Sequence, residues 1–242
     1  MFGTMKTKGK LYLSTAVTSI PAGKPVLFFD TCSMLEILRL SERSNNPGAD
    51  FDQYVYIAER IGSGDLIAVT SELVFQEFNQ HYTEELKKLR KLEQNNREAI
   101  KRITAIMAVG SKRTRIENSV DEMHTETRIT STVSKIWRNT ILIREEKQFL
   151  QFAYTRIKHK MAPSQNKEQF KDSYIWGTFL NLAHRLPAYP KMFFFTLNKK
   201  DYLDPNNGRL CTQIDADLNV LPNVELHYVL GSLYGELNHM FP

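Results

Sequence analysis

The chain has 242 residues, 42% of them hydrophobic, enough for a sizeable core and an argument against wholesale disorder. Thirty-two Lys and Arg against 27 Asp and Glu leave a net charge of +5, a balance that suits a nucleic-acid partner without requiring one. Cys32 and Cys211, the two cysteines, form neither a CxxC pair nor a zinc pattern, which argues against a disulfide scaffold and makes the cytoplasm the expected compartment.

No apolar run approaches the ~20 residues of a membrane span, and no apolar segment follows Lys6, Lys8 and Lys10 to make a signal peptide. Residues 1–25 read as a lead-in with one short strand at Lys10–Leu13, closed by Pro21, Gly23 and Pro25. Val26-Leu27-Phe28-Phe29 is short, apolar and bounded by turn signals, the mark of a buried strand, and it ends in Asp30-Thr31. Met34, Leu35, Leu38 and Leu40 predict a helix, and Ser44-Asn45-Asn46-Pro47-Gly48 a loop. Phe51, Tyr54, Val55, Ala58 and Ile61 predict a second helix, stopped by Gly62 and Gly64. Leu66–Val69 predicts the second strand, after which Thr70 or Ser71 caps a helix carrying Leu73, Val74, Glu77 and Phe78.

Residues 79–161 differ in character. They are rich in Lys, Arg, Glu and Gln and read as a helical insertion within a single domain of residues 1–242. Leu86, Leu89, Ala99, Ile100, Ile103, Ile106 and Met107 mark one amphipathic helix, broken at Gly110-Ser111. Ile136, Trp137, Ile141, Leu142, Phe149, Leu150 and Ala153 mark one or two more. Positions 86–116 carry ten basic and two acidic residues, a local charge of +8, which reads either as a solvated helix face or as a basic arm for phosphates. Pro163 and Ser164 end this segment. Phe170, Tyr174, Ile175, Trp176, Phe179, Leu180 and Ala183 predict the next helix, with Asp172 in its first turns. Met192–Phe195 predicts a third strand with Asp201 just past it, Val224–Leu230 a fourth, and Leu233–Met240 a closing helix. Strands alternating with helices predict an α/β fold with a parallel sheet.

Four acids thus stand at strand ends or helix starts: Asp30, Glu77, Asp172 and Asp201. In open α/β folds these positions converge on the sheet edge where ligands bind. Clustered carboxylates repel one another unless a cation sits between them, and Mg²⁺ and Mn²⁺ are the oxygen-seeking candidates. The chemistry indicated is phosphodiester hydrolysis. Asp215-Ala216-Asp217 follows no apolar run and reads as a decoy. The histidines His81, His124, His159, His184, His227 and His239 show no ligand spacing and read as surface or packing residues, Cys32 as a small packing residue, and Trp137 and Trp176 as core.

Three segments resemble the PIN-domain nuclease superfamily, in its larger, helix-inserted branch. Val26–Thr31 is similar to the family's opening strand with its Asp-Ser/Thr, and Lys171–Ile175 to its mid-chain Asp at a helix start. Phe193–Tyr202 is similar to its apolar strand followed by Ser/Thr-x-Asn-x-x-Asp-Phe. Val74–Phe78 fits the second acidic position, for which Glu72, Glu84 and Glu85 stand nearby as substitutes for Glu77. The resemblance implies a three-layer α/β/α fold and metal-dependent ribonuclease activity, usually on single-stranded RNA. It also implies one or two Mg²⁺ or Mn²⁺ ions held by Asp30, Glu77, Asp172 and Asp201, with Glu77 also orienting the attacking water or acting as base. Thr31, Thr196 and Asn198 would hold the carboxylates, and Lys199 and Lys200 would meet substrate phosphates. A protein partner such as an antitoxin, and an oligomer, are compatible with it. Three other readings stand beside it: a catalytically silent module that binds RNA or protein, a DNA-directed nuclease, and a haloacid-dehalogenase-like phosphatase. The last needs a second acid where this chain has Cys32.

Overall fold

The computed structural model of the protein describes residues 5–108, 125–165, 170–186 and 191–241. Within them a six-stranded parallel sheet forms from β1 (Gly9–Leu11), β2 (Val26–Phe29), β3 (Ile67–Ser71), β4 (Ile141–Ile143), β5 (Met192–Phe195) and β6 (Val224–His227), in the order β1-β4-β3-β2-β5-β6. The helices are α1 (Leu13–Ser19), α2 (Thr31–Arg43), α3 (Pro47–Ser63), α4 (Glu72–Ala108), α5 (Thr125–Arg138), α6 (Lys147–Lys158), α7 (Phe170–Arg185), α8 (Lys199–Tyr202), α9 (Thr212–Asn219) and α10 (Leu230–Met240).

Every residue of β2, β3, β4 and β5 is buried. Parallel strands covered on both faces have no solvent side, so their sequences run apolar without alternation. Adjacent side chains still point to opposite faces, and the aromatic contacts show it. Phe28 meets Phe179 of α7, edge to face with ring centroids 5.6 Å apart. Phe29 meets Trp137 of α5 at 5.2 Å. Helices α2, α3 and α5 pack together with α4 on one side, α1, α6 and α7 on the other, giving the expected three layers. A Ser71 cap is present, its Oγ accepting the Val74 N–H at 3.2 Å.

The segment 79–161 departs from its helical reading, because Ile141–Ile143 is strand β4 inside the central sheet, paired with both β1 and β3. A three-residue apolar run between helices has no period of its own, so spacing alone cannot separate strand from helix. The expected break at Gly110-Ser111 lies outside the described residues. Upstream of it α4 runs unbroken for 37 residues, joining the helix of Glu77 to the basic stretch. The expected loop at 44–48 is shorter than read, since α3 starts at Pro47, and the missing N–H of proline costs nothing in a first turn. Gly64 closes α3 at φ 78°, a left-handed conformation that glycine adopts without strain. The fourth strand stops at His227, and α10 begins at Leu230. Helices α1, α8 and α9 have no counterpart in the sequence pattern.

Candidate functional site

Strand β2 is where the chain changes direction across the sheet: β3 and β4 lie to one side, β5 and β6 to the other. Such a switch point opens a crevice at the carboxyl ends of the strands. The register pairs Phe29 with Phe195, so the next residues, Asp30 and Thr196, come side by side. Thr196 Oγ1 donates to Asp30 Oδ2 at 2.7 Å, and Cys32 Sγ donates to the same oxygen at 3.2 Å. Asp30 occupies the N-cap of α2 without making a side-chain cap hydrogen bond, and it is only 4% exposed. The Leu197 N–H donates to Cys32 Sγ at 3.2 Å and the Asn198 N–H to Thr196 Oγ1 at 3.0 Å, so the turn after β5 is tied to the start of α2.

The other acids arrive from three elements. Glu77 lies on the second turn of α4, accepting from Thr31 Oγ1 at 2.8 Å and from Lys171 Nζ at 3.0 Å. Asp172 stands in the first turn of α7, where a carboxylate is favoured by the helix dipole. One turn on, fully buried Trp176 packs against Phe194 of β5 at 5.1 Å and Tyr202 of α8 at 5.6 Å, which fixes α7 against the strand that leads to Asp201. Asn198 Nδ2 donates to Asp201 Oδ2 at 2.6 Å and reaches Asp172 Oδ1 at 3.5 Å.

Asp30, Glu77 and Asp172 border one cavity of about 200 Å³, with Thr31, Cys32, Leu35, Arg39, His81 and Asn198 completing its described wall. Asp201 is buried at 7% exposure and is not on that wall; Asn198 links it to the rest. A larger cavity, about 510 Å³, lies where α2 and α3 face α4 and α5, but its wall is mostly apolar and lacks this convergence of acids.

Electrostatics set the smaller cavity apart. Burial, followed by repulsion from Asp30, Asp201 and Glu77, pushes the Asp172 carboxyl up to about 8. Burial also raises Asp30, outweighing the hydrogen bonds from Thr196 and Cys32 that oppose it, and Glu77 adds repulsion. These oxygens form a hard donor set, the kind that Mg²⁺ and Mn²⁺ take, and their repulsion is what a bound cation relieves. Among the described residues, however, no three His, Cys, Asp or Glu side chains close into a ready ion cage. Thr196 holds Asp30, Thr31 holds Glu77, and Asn198 reaches both Asp201 and Asp172. The donor chemistry fits a divalent ion.

Of the α4 acids, Glu77 alone lines this cavity. Glu72 pairs with Lys10, Glu84 with Lys88, and Glu85 with Arg39 and Lys88, which together hold Glu85 at about 2. Lys199 and Lys200 are exposed and off the cavity wall, with Lys199 Nζ 5.7 Å from the Tyr228 ring centroid. Asp217 is a structural acid that accepts from Trp176 Nε1 at 2.7 Å and pairs with buried Arg156, while Asp215 accepts from Asn219. His227 is buried against Ser232 and Glu225, a packing role as expected. Cys32, Arg39, His81 and Lys171 are the site neighbours that the sequence reading left out. Helical spacing carries the signal for two of them: Thr31, Leu35 and Arg39 fall four apart on α2, and Glu77 and His81 four apart on α4.

No curated protein and no solved structure gives a significant match to the chain. A family model described as PIN domain matches residues 27–202, well over half of the chain, in a span that contains Asp30, Glu77, Asp172 and Asp201. The chain therefore belongs to the PIN-domain family, a family of nuclease-like fold whose members generally depend on metal ions.

Proposed function

We propose that this protein is an endoribonuclease that hydrolyses single-stranded RNA with Mg²⁺ or Mn²⁺. One observation carries the reading: three carboxylates border a single cavity, and burial and mutual repulsion hold Asp172 at about 8. Carboxylates kept together at a cost to the fold suit a site that works with cations. Asp30, Asp172 and Asp201 are the residues assigned to hold one or two ions, with Glu77 orienting the attacking water or taking its proton. When bound, the ions would supply positive charge to the scissile phosphate and lower the pKa of that water. Thr196 steadies Asp30, Thr31 steadies Glu77, and Asn198 steadies Asp201 while reaching Asp172. Lys199 and Lys200, exposed on α8, are assigned to more distant phosphates of the strand. The reading takes residues 1–242 as one domain in which 79–161 supplies strand β4 as well as helices, working in the cytoplasm, in keeping with two free cysteines. Among the described residues no helix is long and apolar enough to cross a membrane.

A second reading is a module that binds RNA or protein without cutting it, in keeping with no closed ion cage among the described residues. The two separate in one experiment. The purified chain is incubated with labelled single-stranded RNA and DNA in Mn²⁺, Mg²⁺ or EDTA, beside Asp30→Asn. RNA cleavage that needs both metal and Asp30 supports the nuclease. Intact polymers under every condition, with no thermal shift on adding metal, favour the silent module.

A further inference from the structure

We infer that Arg39 is a substrate-binding residue of the cavity, a clamp for one phosphate of the nucleic-acid strand; only the identity of that anion rests on the nuclease reading. Arg39 lies two turns into α2 on the face of Thr31 and Leu35, and all three line the cavity. Among the described wall residues it is the one permanent cation, sharing the cavity with Asp30, Glu77 and Asp172. A phosphodiester entering beside Asp30, Glu77 and Asp172 needs a counter-charge, and the planar guanidinium fork matches phosphate oxygens better than any other side chain.

The alternative is a plain tie between α2 and α4. A tie of full strength would set the Nε/Nη2 edge of Arg39 against both oxygens of Glu85. Instead Nη2 alone donates to Glu85 Oε1, at 2.9 Å, and Lys88 Nζ donates to the same oxygen at 3.1 Å. Two cations share one oxygen, and Lys88 pairs with Glu84 as well, so Arg39 is held at Nη2 alone while the rest of its fork stays outside the ion pair. Its Nε–H is enclosed with no acceptor, and unpaired buried donors are rare in native proteins. The two side chains are 17% and 7% exposed, so the anchor is firm. The enclosed Nε–H is shut off from the cavity, but Nη1 is neither enclosed nor bonded to any described residue, so a guanidinium fixed at one corner on the cavity wall keeps a donor for an incoming oxyanion.

The test measures binding of a short fluorescein-labelled single-stranded oligoribonucleotide by anisotropy across a salt series. The Asp30→Asn chain serves as background, because it removes one repelling charge and keeps the strand uncut. Adding Arg39→Gln should weaken binding about tenfold and flatten the salt slope by roughly 0.7, the single-strand value for one phosphate contact. Since Arg39→Gln leaves buried Glu85 with Lys88 alone, Arg39→Gln/Glu85→Gln is measured too; two amides can bond each other and keep the fold. Its binding should stay weak, and Arg39→Lys should recover part of the loss. Wild-type affinity and slope in the double variant would overturn the inference, as would absence of any RNA binding in the background chain. Cleavage assays on the chain with Asp30 intact separate the two proposals. Arg39-dependent binding without metal-dependent cleavage sinks the nuclease and leaves the clamp. Cleavage with an unchanged KM in Arg39→Gln/Glu85→Gln sinks the clamp and leaves the nuclease.

Discussion

Replacing Asp172 by Asn should stabilise the metal-free protein, and by more as the pH rises. The Asp172 carboxyl sits at about 8 against an ordinary value of 3.8, through burial first and then through repulsion by Asp30, Asp201 and Glu77. A raised carboxyl binds its proton more tightly in the folded state than in the unfolded one. Its contribution to folding is therefore most favourable below about pH 4, falls as the pH climbs, and levels off above about pH 8. At pH 7 the three units traversed amount to a penalty of about 4 kcal/mol. Asn has nearly the same shape and keeps a carbonyl oxygen for Asn198 Nδ2, which reaches Asp172 Oδ1 at 3.5 Å, but carries no charge to desolvate. The expected gain in EDTA at pH 7 is on the order of 2–4 kcal/mol, or roughly 5–15 °C in Tm for a chain of this size. Thermal unfolding of both chains in EDTA from pH 4.5 to 8.5 reads it, with the gap widening across the range. Saturating Mn²⁺ should narrow or reverse the gap, because only the wild type gains the full binding energy. An Asn variant that melts below the wild type at pH 7, or a gap flat with pH, would refute the reasoning. Asp172 would then be held by favourable contacts rather than penalised.

Three further perturbations probe the surroundings. Thr31→Val deletes the hydroxyl that donates to Glu77 Oε2 at 2.8 Å; kcat should fall about tenfold with KM little changed, and a KM effect alone would point to substrate contact instead. Gly177→Ala places a methyl carbon 2.5 Å from Phe152 Cδ1, where α6 packs on α7. The overlap costs about 1–3 kcal/mol, more than the roughly 1 kcal/mol that alanine adds to a helix, so Tm should drop by a few degrees; a rise would mean that Phe152 swings clear freely. The basic stretch of α4 is partly used up internally, since Lys88 pairs with Glu84 and Glu85, and Arg90 with Glu126. Lys87 and Lys91 are exposed and in no ion pair among the described residues. Their joint replacement by Gln should flatten the salt dependence of RNA binding if α4 touches phosphates, and an unchanged slope returns the stretch to a solvated face.

The sequence was most readable where one physical constraint acted alone. Val26–Phe29 and Met192–Phe195 are buried on both faces, so their residues had to be apolar throughout, and both strands fall where the runs place them. Ile141–Ile143 obeys the same constraint but is short and follows helical residues, which hid it inside a helical pattern. Lys10 and Leu11 of edge strand β1 were legible, while α1 directly after it lacked a side-chain cap to announce it. The length of α4 was hidden for a different reason. Its apolar positions follow two partners in turn, Trp137 of α5 around Phe75 and Phe78 and then the α2 face around Leu86 and Leu89, so the pattern reads as two helices.

For the site, what the sequence withheld was distance. Each acid could be assigned to a strand end or a first turn, because those positions depend on local pattern. That Asp30 meets Thr196 depends on β2 and β5 being neighbours in register, although 166 residues separate the pair, and strand order is not written in either strand. The pairing of Asn198 with Asp201 was legible, since it spans one turn. The contact of Thr31 with Glu77 was not, since it joins two helices that start from different strands. The same division explains Cys32. A cysteine after an apolar strand reads as filler until the turn after β5 arrives beside it. Its thiol then bridges Asp30 and the Leu197 amide, and a residue taken for packing becomes part of the frame that holds the first carboxylate in place.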